Sequence, residues 1–158
     1  MSELRTNKIY PRDGLPAGAS GGGIIQVVES SLSNSGATST TSTSLVETGL
    51  QATITPSSAS NKILCIWSLQ IRNDGARSGT GLRRNSTDIF GYRESYGAIT
   101  NGGVTQTFQY LDSPATTSAT TYKVMFCVNT GTALLSDVGG ILVTGSNPHR
   151  ITLIEISG

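Results

Sequence analysis

The stretch Lys62–Ile71, KILCIWSLQI, constrains the fold more than any other in this chain. Ile63, Cys65, Trp67, Leu69 and Ile71 recur at every second position, the period of a strand that buries one face. The opposite positions begin apolar, at Leu64 and Ile66, and turn polar at Ser68, Gln70 and Arg72. That pattern predicts a strand buried on both sides at one end and wet at the other. The sequence leading into it, TSTSLVETGLQATITPSSASNKILCIW, reads as short strands at Ser44–Val46 and Gln51–Thr55, parted at Thr48-Gly49. Pro56-Ser57-Ser58 then ends the second of these and turns the chain into the central strand.

Further strands are expected at Ile24–Val28, Thr80–Arg84, Thr87–Tyr92, Val104–Leu111, Thr120–Asn129, Gly140–Thr144 and Arg150–Ile156. Ser30–Thr43 is a Ser/Thr/Gly/Asn tract with almost nothing to bury and reads as a loop or exposed edge, and Arg93–Gly103 as a long connection. Thr132–Leu135 holds helix-compatible residues in too short a run. No segment keeps a helical period over ~10 or more residues. The expected fold is all-β, a jelly-roll-like two-sheet sandwich of about 8–10 strands. Residues 1–23 stand apart from residues 24–158. Leu4, Ile9, Tyr10 and Leu15 are isolated among polar neighbours, Pro11 and Pro16 prevent a continuous helix, and Gly18–Gly23 (GASGGG) reads as a hinge. An extended arm is expected there, and its spaced apolar residues need something to lie on.

Composition narrows the chemistry. A chain of 158 residues accommodates one domain plus an arm. With 13% charged residues and a net charge of +1, it lacks the basic patch that nucleic-acid binding requires; the adjacent basic residues are Arg83 and Arg84 alone. The polar start SELRTNKIY has no signal-peptide core, and no apolar run reaches the ~20 residues of a membrane span. Cys65 and Cys127 lie in apolar runs and read as buried thiols, with a disulfide between neighbouring strands left open. One histidine, His149, reads as a strand-end residue beside a turn, and without Cys-x-x-Cys spacing no metal is expected. Gly18-Ala19-Ser20-Gly21-Gly22 spells a hydrolase elbow, but a strand follows it where that elbow and a phosphate loop both need a helix. Asp74, Asp112 and Asp137 fall in turns rather than as a paired acid and base, and the sequon Asn85-Ser86-Thr87 reads as an ordinary turn. No enzyme activity and no cofactor are expected. Arg83, Arg84, Tyr92, Arg93 and Tyr96 form the candidate surface contact, since Arg and Tyr are enriched at interfaces; the competing reading is solvated charge with tyrosine packed on the sandwich edge.

Four passages carry a family resemblance: SELRTNKIYPRDGLPAG followed by GGGIIQVV, the Thr41–Trp67 stretch, YLDSPATTSATTYKV, and the closing HRITLIEIS. Together they resemble the small virion structural proteins of tailed bacteriophages, of the marine and cyanobacterial type. The resemblance runs over nearly the whole chain and is weakest at Asn73–Gly103, where a member would carry its own surface specificity. It implies a jelly-roll module in a virus particle, assembled in the host cytoplasm. It also implies a homotrimer, with the arm (Leu4, Ile9, Tyr10, Leu15) docking it to other virion proteins. The role it suggests is a tail-fibre or tail-associated subunit that meets a host-surface glycan or protein. The alternative is a capsid decoration (cement) protein that stabilises the head. Neither role involves nucleic acid or membrane insertion.

Overall fold

A computed structural model of the protein describes residues 23–32, 38–73, 77–95, 104–135 and 149–158. Among these described residues ten strands appear in chain order: β1 (Ile24–Ser31), β2 (Thr38–Thr40), β3 (Val46–Ile54), β4 (Lys62–Asn73), β5 (Ser78–Arg84), β6 (Thr87–Ser95), β7 (Val104–Asp112), β8 (Thr120–Val128), β9 (Ala133–Leu135) and β10 (Arg150–Ile156). Every pairing is antiparallel.

Register resolves the topology. β7 runs along one edge of β4, and β10 along the other over Lys62–Ser68. Ile71 pairs with both Val104 of β7 and Leu135 of β9, so β9 continues the line of β10 on the same edge. β1 pairs with β10 and β2 with β9, which makes β1 and β2 a second broken line beside the first. The other sheet has the order β3-β8-β5-β6. With each broken line taken as one, both sheets are four lines wide. Successive lines cross from sheet to sheet everywhere except the β5–β6 hairpin, and the first and last lines lie side by side. This is the jelly roll, a sandwich of two Greek keys.

The inner face of β4 makes the core, as its alternation predicts. Ile63, Cys65, Trp67, Leu69 and Ile71 are all buried against Leu82 of β5 and Tyr122, Val124 and Phe126 of β8. Trp67 spans the gap between the sheets. Its Nε1–H donates to Thr80 Oγ1 at 3.2 Å, and Thr80 donates to the Met125 carbonyl at 3.0 Å. Its ring stacks on Phe108 of β7 (centroids 5.7 Å, planes 21° apart) and meets Phe90 of β6 edge-on at 5.5 Å.

Several local expectations change. β3 is one strand that passes through Thr48-Gly49 as a bulge: the register shifts between Glu47 and Gln51, and Gly49 takes φ 87°. Thr48 holds the bulge by donating to the Val124 carbonyl at 2.7 Å and accepting from Leu50 N–H at 3.0 Å. Ala133–Leu135, inside the helix-compatible run, is β9, because β4 and β2 offer it backbone partners on both sides. The Ser30–Thr43 tract contains β2, and β6 extends to Ser95. Asn85-Ser86 forms the β5–β6 turn with Asn85 at φ 52°, a conformation asparagine tolerates. Cys65 and Cys127 are buried thiols, not joined in a disulfide. The strand expected at Gly140–Thr144 lies outside the described residues.

Trp67→Ala removes a fully buried aromatic and its hydrogen bond, so we expect a loss of ~3–5 kcal/mol in chemical denaturation. A loss under about 1 kcal/mol would place Trp67 energetically among surface residues.

Candidate interaction surface

The outer faces of the two sheets differ in kind. On the β8 sheet, Glu47, Lys123, Arg83 and Asp88 form a charged lattice. Lys123 Nζ lies 2.8 Å from Glu47 Oε1, Arg83 Nε donates to Asp88 Oδ1 at 2.6 Å, and Arg83 also lies 3.8 Å from Glu47. Beside them Thr53 and Thr121 join hydroxyls at 2.7 Å. Gly81 sits beneath Leu45, where a Cβ would come within 2.7 Å of the leucine methyl and 2.8 Å of the Phe90 carbonyl.

The outer face of the β4 sheet is apolar at one end. Its rows follow from the register. Val27, Ile154, Leu64 and Leu111 are successive partners across β1, β10, β4 and β7, so one row of four apolar side chains crosses the sheet. On one side of it lie Ile24 and Ile156, with Lys62; on the other lie Glu29, Thr152, Ile66 and Gln109. Ile24, Ile25, Val27 and Leu111 are 68%, 46%, 56% and 49% exposed, while Leu64, Ile66, Ile154 and Ile156 are half-buried. Contiguous apolar surface of this kind marks an interaction site far more often than scattered exposed residues do. The sequence expected burial on both sides at this end of β4. The isolated chain supplies it on the inner side and leaves Leu64 and Ile66 half open on the other.

Asp112, Glu155 and His149, polar groups buried in the sandwich, are committed to structure. Adjacent Arg83 and Arg84 point to opposite faces of β5, as strand alternation requires. Arg83 joins the outer lattice. Arg84 turns to the sandwich end, where its Nη1 lies 3.0 and 2.9 Å from the two oxygens of buried Asp112. Asp112 also accepts from the Tyr122 hydroxyl at 2.6 Å. Burial, the hydrogen bond to Asp112 and its charge push the Tyr122 hydroxyl well above its usual range. Burial and the same carboxylate do so for the Cys65 thiol. Both groups stay protonated at neutral pH, and a thiol held neutral is a poor nucleophile.

Glu155, fully buried, pins the same end. Its carboxylate accepts from Ser57 N–H at 2.7 Å, Ser57 hydroxyl at 2.8 Å, Asn61 amide at 2.6 Å and Gln26 amide. Burial pushes the Glu155 carboxyl up, but the bonds from Asn61, Gln26 and Ser57 outweigh it and hold the group at about 2, below its ordinary 4.5. His149 is buried as well: its Nδ1 accepts from Gln70 N–H at 3.2 Å, and its carbonyl accepts from Leu32 N–H at 3.1 Å. The single histidine therefore braces the junction of β10 with β1 and β4. Its position beside a turn gave no sign of that burial.

Among the described residues no group of three or more His, Cys, Asp or Glu is placed to hold a metal ion. A hollow of about 140 Å³ lined by Thr43, Arg77, Gly79, Cys127, Val128 and Asn129 is smaller than the ~300 Å³ at which ligand pockets begin. No described helix is long and apolar enough to cross a membrane. Of the sequence candidates, the arm residues Leu4, Ile9, Tyr10 and Leu15, and Tyr96, lie outside the described residues. Tyr92 and Arg93 belong to β6, with Tyr92 paired to Thr80. The chain matches no model of a known protein family and no curated protein.

The low value for Glu155 fixes the sign of an acid effect. A carboxylate depressed in the folded state stabilises the protein above its unfolded value, and this is lost as pH falls through the folded one. We expect stability to drop between about pH 5 and pH 2. Glu155→Gln should flatten that part of the profile and lower stability at pH 7 by ~2–3 kcal/mol, measured by denaturant titration across pH.

Proposed function

We propose that this chain is a non-enzymatic structural subunit of a tailed-bacteriophage virion, most consistent with a tail-fibre or tail-associated role. Its N-terminal arm docks it to other virion proteins, and its jelly roll is displayed for contact with a host-surface glycan or protein. The observation that carries the reading is the outer face of the β4 sheet, an open apolar row on a sandwich whose buried carboxylates Asp112 and Glu155 serve its own fold. A module built to be packed against other protein has this distribution; a soluble solitary domain has no use for it. The sequence resemblance supports the same reading. The uncharged row of the β4 sheet also suits lying on a capsid lattice, which gives the second reading, a head decoration protein.

The test is localisation together with truncation. Gold-labelled antibody on intact particles should mark the tail. Label on the head lattice, with heads that become fragile when the protein is missing, would establish the second reading, and absence from the particle would overturn both. A chain lacking Ser2–Gly18 should fold to the same melting temperature yet fail to enter virions, because the arm holds little core-forming sequence. Failure of that chain to fold would make the arm part of the domain.

A further inference from the structure

We infer that the outer face of the β4 sheet is the surface through which this chain binds further copies of itself, with Val27, Ile154, Leu64 and Leu111 at the centre of the contact. The inference deepens the structural-subunit reading by naming the partner of that face, and it rests on that reading.

Three observations point to a second copy. The first is size. β4 is 12 residues long, and at ~3.3 Å per residue it spans ~40 Å. Four lines at ~4.8 Å spacing make the face ~19 Å wide, giving ~750 Å². An ordinary stable interface takes ~800 Å² from each partner, so the whole face is of the size one subunit contributes.

The second is layout. The apolar row is flanked by Ile156 and Ile66, and beyond it the face turns to Thr152, Ser68, Thr107 and Thr105. An apolar centre with a polar margin, here threonine and serine with Lys62, Glu29 and Arg150 among them, is the anatomy of a subunit contact. The opposite sheet, with its Glu47–Lys123 and Arg83–Asp88 pairs, lacks it.

The third is charge. Lys62 and Glu29 stand on opposite sides of the central row and carry opposite sign, and Glu29 is already 3.4 Å from Arg150. An identical face laid on this one therefore meets no block of like charge. The chain as a whole carries only +1, so copies repel one another weakly.

Sedimentation of the full chain at micromolar concentration tests the inference, with thermal melting to verify that each variant is folded. The wild type is expected to be oligomeric. Leu64→Asp, at the centre of the row, should raise the dissociation constant ~100-fold or more, because each contact would bury an unpaired carboxylate. Leu111→Asp lies on the edge strand and is half exposed already, so it reports on the same face if Leu64→Asp does not fold. Gln51→Glu, on the exposed outer face of the β8 sheet, should leave assembly unchanged. A monomeric wild type overturns the inference, and if the chain lacking Ser2–Gly18 then associates, the arm is what covers the face. An oligomer indifferent to both aspartates overturns it as well. These outcomes are read on purified protein and do not depend on where the protein sits in a particle, so the two readings fail separately.

Discussion

The structure depends on one strand that is apolar along its inner face and, at one end, on its outer face too. β4 is hydrogen-bonded along both edges, and its inner face holds Trp67 between the two sheets. A strand in this position cannot shift register by one residue without exchanging its faces. In most sandwiches such a slip would expose the core residues outright. Here Leu64 and Ile66 occupy the outer positions, so the hydrophobic pattern alone discriminates weakly at this end. The polar bonds around it restore the discrimination. Trp67 finds Thr80 only in the observed register, and His149 finds the Gln70 amide only there.

The same end of the sandwich is secured by two carboxylates in different ways. Asp112 is held by an arginine and a tyrosine that reach it from the opposite sheet, so it ties layer to layer. Glu155 accepts bonds from uncharged donors on β1 and on the turn before β4, so it ties the strand ends together. Both arrangements leave the outer face of the β4 sheet free of ionic groups along its central row. Rigid support beneath and an uncharged surface above suit a face meant to receive another protein with little reorganisation.

Much of this was legible in the alternation of particular residues. The strands at β4, β7, β8 and β10, the buried thiols and the jelly-roll class all follow from period-two patterning between turn residues. The apolar pair Leu64 and Ile66 already signalled that β4 needed cover on its second side. Other features had no local signal. β9 is three residues of good helix formers, made a strand by the backbone groups that β2 and β4 present to it. Gly49 looked like a break between two strands and is a bulge within one. Arg83 and Arg84, adjacent in sequence and grouped as one surface candidate, serve opposite faces of a strand.

By itself the sequence determined which residues alternate, and therefore which are buried and which class of fold can bury them. Tertiary structure alone decided that Val27, Ile154, Leu64 and Leu111 stand in one row. They come from four strands far apart in the chain, and only antiparallel register brings them side by side. Pattern is local because side-chain direction along a strand is set by the backbone. A surface is not local, because it is set by which strands pair and in what register.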